Sequence, residues 1–234
     1  MTKVKEERVL SSSYDPENHY EICIDEVGRG CLFGRTYIAC VVLPKDDSFL
    51  GKDIKDSKKF SSKKKIKEVA TYIKEHALFW HIEYIESTVI DNINILQSVM
   101  KGMHECIRNA LLKFHSESHE QKIMAIVDGN YFKPYYWFDN TKELLVQLPY
   151  VTIEKGDAKM MGIAAASILA KVERDEYILC MCLNYPELST RYGLETNMGY
   201  GTKKHMDGIR EHGITQWHRK TFGELCKQAR MNEI

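Results

Sequence analysis

The chain should fold as an α/β protein, a mixed β-sheet flanked by helices with an α-helical C-terminal portion. Two observations lead there. Short runs rich in β-branched and aromatic residues come first, then alternate with long helical patterns, and helical patterns close the chain. Three of the strand-like runs also stop at acids, as strands do where a sheet opens onto a ligand crevice: Asp25 with Glu26, then Asp128, then Asp157 behind Gly156.

Residues 1–19 are polar and unpatterned, a flexible lead-in. Residues 20–24 and 36–43 read as neighbouring strands joined by glycine punctuation, and Phe79–Ile85 ("FWHIEYI") has the same character. A long helix should follow Ser87, whose hydroxyl can cap it. Its residues Ile93, Leu96, Met100, Met103 and Ile107 recur at steps of three and four, which is one helix face. "KIMAIVD" is a strand ending at Asp128, and "YVTIEK" one ending before Gly156. From Asp157 onward "DAKMMGIAAASILAKVERDEYILCMCL" is alanine-rich and apolar on most sides, as a buried helix would be. After Pro186 comes the glycine-punctuated loop "RYGLETNMGYGT", then two short helices near 203–211 and 222–230. The expected organisation is a lead-in over 1–19, a core over 20–185, and a helical region over 186–234.

A length of 234 residues suits one large domain or a domain with a helical appendage. The formal net charge is zero, so any nucleic-acid partner must be held by local patches. "IKDSKKFSSKKKIKE" is one such patch, with seven lysines, although such runs often serve only as a solvated helix face. Seven cysteines without a CxxC pair suit a reducing compartment. With no apolar leader and no run of membrane-spanning length, the expectation is a cytoplasmic protein without a membrane partner.

Carboxylates gathered at strand ends would repel one another and are costly to desolvate unpaired. Either a lysine or a metal should answer them, and oxygen-only ligation suits Mg²⁺ or Mn²⁺. Pleating sends Asp25 and Glu26 to opposite faces of a straight strand, so the Gly28-Arg29-Gly30 turn must twist the chain, or Glu26 must reach over the strand end. Taken singly, each acid also reads as a surface residue or a cap, Asp157 above all.

Several segments resemble one family, in order from about residue 20 to 222. "IDEVGRGCLFG" and "DSKKFS" are similar to the opening and lysine-bearing signatures of ribonuclease HII. "KGDAKMMGIAAASILAKVERD" is similar to its third, and "GYGTKKH" and "GITQWHRKTF" to its C-terminal ones. The resemblance implies a ribonuclease H-like fold and an endonuclease that hydrolyses the RNA strand of RNA–DNA hybrids. It also implies nicking 5′ of single ribonucleotides in duplex DNA, leaving 3′-hydroxyl and 5′-phosphate ends. The family's four catalytic and metal-holding acids fall on Asp25, Glu26, Asp128 and Asp157, with Asp25 expected to bridge two Mg²⁺ or Mn²⁺ ions.

The resemblance further assigns Gly28, Arg29 and Gly30 to the ribose 2′-hydroxyl and its phosphate, and Tyr200 to the following nucleotide. Backbone groups bared by glycine and an arginine fork suit that task. Ser57, Lys58 and Lys59, with Thr202 and Lys203, are candidate phosphate contacts. His218 and Arg219 match the family's "HR" pair, which either touches the substrate backbone or anchors the tail, and His205 has no clear place. The chain departs from the family at Cys31, Phe33 and Arg35, where proline, alanine and proline are usual, and at Met198, where a basic residue is common. A monomer is expected, and "CKQARMNEI" offers no clamp-binding peptide. The rival readings are a ribonuclease HIII-like enzyme preferring longer RNA, disfavoured by the short segment before the first strand, and a non-enzymatic hybrid binder.

Overall fold

The computed structural model describes residues 9–46, 48–114, 122–139 and 143–234. Strands β1 (Tyr20–Val27), β2 (Thr36–Val42), β3 (Phe79–Ile85), β4 (Ile123–Asp128) and β7 (Tyr150–Ile153) form one sheet in the order β3-β2-β1-β4-β7. β5 (Tyr136–Asp139) and β6 (Leu144–Gln147) form a separate antiparallel pair. The helices are α1 (Lys63–His76), α2 (Ser87–Phe114), α3 (Met161–Asn184), α4 (Glu187–Tyr192), α5 (Leu194–Asn197), α6 (Lys203–His212) and α7 (Gly223–Gln228). This is the α/β architecture the sequence implied. No helix among the described residues is long and apolar enough to cross a membrane.

β1 pairs parallel with β4, and β4 parallel with β7. Central strands covered on both faces read as continuous apolar runs. Accordingly every residue of β2 is buried, as are residues 21–25 of β1. β1 runs past the expected end at Ile24, so Asp25 and Glu26 lie inside the strand.

The described chain groups into two compact units. The first comprises the residues up to Asp25, Ala39–His81 and Cys106–Leu169. In it Cys23, Ile126, Met160 and Ile163 pack together against the start of α3. Gly162 lets α3 approach Cys23, because a β-carbon there would lie 2.4 Å from its sulfur. Ser62 caps α1 by accepting from Lys65 N–H, and Ile66, Val69, Ala70 and Ile73 form its buried stripe.

The expected lead-in over 1–19 divides: residues 1–8 lie outside the described residues. Within 9–19, Ser11 N–H donates to the Lys159 carbonyl and the Ser11 carbonyl accepts from Met161 N–H, both at 2.8 Å.

The second unit comprises Glu26–Ile38, Ile82–Glu105 and Ala170–Ile234. Its core joins Phe33, Ile178, Leu188, Tyr192, Ile209 and Ile214, among others. α2 breaks inside it at Asn94 (φ 66°, ψ 165°), whose side chain accepts from Gln97 N–H and restarts the helix. That break changes the face expected from the periodicity. Met100, Met103 and Ile107 are buried, but Ile93 stands before the break and is exposed. A three-four repeat predicts one face only while the helix is continuous.

Candidate active site

The parallel register carries two of the acids to one edge. Ile24 of β1 lies opposite Val127 of β4, so the next residues, Asp25 inside β1 and Asp128 at the end of β4, lie on adjacent strands. Asp157 enters from the turn after β7, the other neighbour of β4. Lys155 makes that turn with φ 55°, and Gly156 N–H donates to Asp128 Oδ1 at 2.6 Å. A β-carbon on Gly156 would lie 2.5 Å from Ile163 Cδ1 and 3.0 Å from the Asp128 oxygen, so the close approach requires glycine.

Burial, reinforced by the Asp157 charge, pushes the Asp128 carboxyl above its ordinary range. The Gly156 and Gly129 amides and Lys58 oppose the shift without cancelling it. Lys58 Nζ stands 3.5 Å from Asp157 Oδ2, at the end of an 81% exposed side chain. Partial burial pulls that ammonium down, yet the charges of Asp157, Asp56 and Asp25 hold it above its usual value. A lysine therefore does answer the acids, though one ammonium faces three carboxylates. Among the described residues no three acid, histidine or cysteine groups close round a common point as metal ligands. The donor set is nevertheless all oxygen with surplus negative charge, which fits a hard divalent cation.

The chain passes from the first unit to the second across the Asp25–Glu26 peptide bond. Glu26 pairs with Arg29 at 3.4 Å, and the Arg29 side chain is half exposed. Gly28 is buried with φ 87°, while Arg29 and Gly30 face outward. Tyr200, 46% exposed, sits in a loop whose Gly199 carbonyl accepts from Leu32 N–H at 2.9 Å. The two outward-facing groups thus share one support.

The ribonuclease HII family model matches residues 22–225. The chain belongs to the ribonuclease HII family. Ribonuclease HII of Parabacteroides distasonis is 40% identical over 215 residues, covering 92% of this chain and 96% of that one. In fold the chain is similar to the RNase HII in a PCNA complex from Archaeoglobus fulgidus (TM-score 0.63, 23% identity, 87% and 95% of the two chains). It is also similar to a Bst-RNase HIII structure in complex with Mn²⁺ (TM-score 0.55, 18% identity, 92% and 67%). The enzyme is a ribonuclease H, a hydrolase acting on RNA in RNA–DNA hybrids.

The remaining anticipated contacts divide by exposure. Lys58, Lys59, Thr202 and Lys203 are exposed, and the Thr202 hydroxyl also caps α6. Ser57 is buried and hydrogen-bonds the Ser167 hydroxyl at 2.9 Å. His218 and Arg219 are 1% and 0% exposed, so neither side chain presents a surface to substrate. Arg219 donates instead to the Gly34 and Arg29 carbonyls, both at 3.0 Å, holding the turn from beneath. The "HR" pair thus lies beneath the turn in this structure.

The departures from the family pattern have local partners. Phe33 is fully buried, edge-on to His218 at 5.0 Å. The Arg35 guanidinium lies 4.0 Å from the Tyr84 ring and 4.7 Å from that of Tyr177, and pairs with Glu86. Cys31 and Met198 are buried, and the Met198 carbonyl, not its side chain, meets a cation.

That cation is Arg174, which sequence reasoning passed over. It is 1% exposed and donates to the carbonyls of Met198 (2.7 Å), Phe33 (3.3 Å) and Arg35 (3.3 Å). Its letter stands in the charged stretch 171–176 of α3, so nothing in the sequence singled it out; its burial does, because a buried guanidinium demands partners. A β-carbon on Gly28 would lie 2.2 Å from Arg174 Nε. Gly28→Ala should therefore cost roughly 2–4 kcal/mol, combining left-handed strain with overpacking. Urea unfolding measures this, and a loss below about 1 kcal/mol would contradict the contact.

Proposed function

We propose that this ribonuclease HII nicks duplex DNA 5′ of single embedded ribonucleotides, as well as cutting longer hybrids, giving 3′-hydroxyl and 5′-phosphate ends. Asp25, Glu26, Asp128 and Asp157 would hold two divalent ions, Mg²⁺ or Mn²⁺. Such ions supply an activated water and a stabilised leaving oxygen. The observation that carries the metal reading is the surplus of buried negative charge around Asp128, which Lys58 only partly offsets.

The chain's own residues divide the remaining work. Gly156 N–H fixes Asp128 Oδ1 and so orients the carboxylate. Lys58, on an exposed side chain, pairs with Asp157 and could turn to a phosphate oxygen were a cation to take its place. Exposed Arg29 grips phosphate, while the bared backbone at Gly30, where a β-carbon would meet nothing within 4 Å, reads the 2′-hydroxyl. Tyr200 packs against the next nucleotide, its ring 5.8 Å from the Arg174 guanidinium. Single-ribonucleotide selection needs the turn and the tyrosine in fixed relation, and Arg174 bonds to both segments.

A labelled DNA duplex carrying one ribonucleotide, incubated with Mg²⁺ or Mn²⁺, tests this reading. The expected product is one nick 5′ of the ribonucleotide. Cleavage confined to long RNA stretches would instead indicate ribonuclease HIII-like selectivity. Duplex binding without turnover in either metal would sink the catalytic assignment of the four acids.

A further inference from the structure

His205 and His218 are both buried, and their Nε2 atoms stand 3.1 Å apart. What lies at the two ends of this pair fixes its protons. Thr215 N–H donates to His218 Nδ1 at 3.0 Å, with the Thr215 hydroxyl 2.9 Å from the same atom. A ring nitrogen that accepts from an amide carries no proton, so His218 holds its proton on Nε2. At the other end, His205 Nδ1 lies 3.0 Å from the Tyr200 carbonyl oxygen, which can only accept. His205 therefore holds its proton on Nδ1, and its bare Nε2 accepts from His218. One arrangement satisfies every contact: two neutral rings in opposite tautomers, donating in sequence from Thr215 to His218 to His205 to Tyr200.

The surroundings enforce neutrality. Tyr192 of α4 lies edge-on to both rings, its own hydroxyl donating to the Gly213 carbonyl, and Phe33 lies edge-on to His218. Arg219, next in sequence, directs its guanidinium to Gly34, Arg29 and the Phe222 ring. Burial lowers both imidazoles below the ordinary histidine value, and His205 lowers His218 further. Protonating His205 would oppose two N–H groups across 3.1 Å. Protonating His218 would oppose its Nδ1–H to the Thr215 amide.

We infer that His205 and His218 are positioning residues, a proton-locked strut that holds the Tyr200 carbonyl and so sets how the Tyr200 ring meets substrate. The inference rests on the reading of Tyr200 as a substrate contact. Thr202 N–H also donates to that carbonyl, at 2.8 Å, from within the same loop. His205 is anchored outside it, through His218, to the segment that bridges Phe33. Because the folded values are lowered, the strut is intact above the ordinary histidine range and is lost as pH falls below it.

Long-range ¹⁵N–¹H spectra of the full chain test the strut without reference to activity. The expected result is a protonated Nδ1 on His205, a protonated Nε2 on His218, and both rings still neutral where an ordinary histidine is already charged. Opposite tautomers, or either ring titrating as an ordinary histidine, would overturn it.

The selection role is read from kcat/KM on a single-ribonucleotide duplex against a continuous hybrid. His205→Phe keeps a ring but removes the donor, and should lose about tenfold on the single ribonucleotide, the scale of one buried hydrogen bond. The loss on the hybrid should be smaller. His205→Asn restores an N–H near the place of Nδ1 and should recover most of the difference. Equal losses for both variants on both substrates would overturn the role. Tyr200→Ala without effect on the single ribonucleotide would show that the reading of Tyr200 has failed, whereas wrong tautomers would show that the strut has.

Discussion

Asp128→Asn is expected to reduce hydrolysis by about a thousandfold, the scale on which one preorganised electrostatic group can act in an active site, while the fold stays at least as stable. The stability half follows from the direction of the Asp128 shift. Its carboxyl is raised in the folded state, mainly by burial and then by Asp157, so the folded chain binds that proton more tightly than the unfolded one. The ionised group therefore costs stability above its folded value and costs nothing below the unfolded one. Asparagine removes that cost at neutral pH, and its Oδ1 can still accept from Gly156 N–H. Thermal unfolding of the variant should show a Tm no lower than that of the parent at pH 7, with the two converging in acid. Metal addition separates this from a general lesion. At a hundred times its dissociation constant, an ion bound only by the folded state adds about 2.7 kcal/mol, or about 5–11 °C for a chain of this size. The parent should show that rise in Mg²⁺ or Mn²⁺, and the variant should lose most of it. An inactive variant that keeps the full metal-induced rise would remove Asp128 from the ion site.

The sequence carried the acids because they punctuate strands. Asp128 ends the apolar run of β4 and Asp157 stands in the turn after β7, while the run around Tyr20 is apolar because β1 is a central strand of the sheet. The lysine that meets Asp157 was visible as part of a basic run, but nothing in that run distinguished Lys58 from its neighbours. Only the fold does so, through the Asp56 cap that accepts from Lys58 N–H and turns this one side chain toward the acids. The α2 break was hidden because the hydrophobic repeat continues across Asn94, although positive φ there places Ile93 off the buried face. β5 and β6 escaped notice because four residues are too few for alternation to register. The buried polar residues were least legible. His205, His218 and Arg219 carry the same letters whether they meet substrate or the backbone of a turn, and for Arg219 partners more than a hundred residues away decide which.

Arg174 is where that non-local logic should have its largest energetic effect. Its guanidinium meets three carbonyls from two segments, and each would lose this donor if the side chain changed. A buried acceptor without a donor costs about 1–3 kcal/mol. Arg174→Lys keeps the charge but replaces a planar fork with a point donor that cannot reach all three. Both Arg174→Lys and Arg174→Met should therefore lose about 3–5 kcal/mol in urea unfolding, and the lysine variant should gain little over methionine. The cause can be isolated through Gly28, whose missing β-carbon is filled by Arg174 Nε. Once Arg174→Met clears that space, Gly28→Ala retains only its left-handed strain. The double variant should then be less destabilised than the sum of the singles by about 1–2 kcal/mol. Strict additivity would mean that the alanine methyl and the guanidinium do not compete for the same place, and Arg174 could not then be the support of the turn. With coupling of that size, loss of single-ribonucleotide cleavage in either single variant traces to one cause, a turn released from the arginine beneath it.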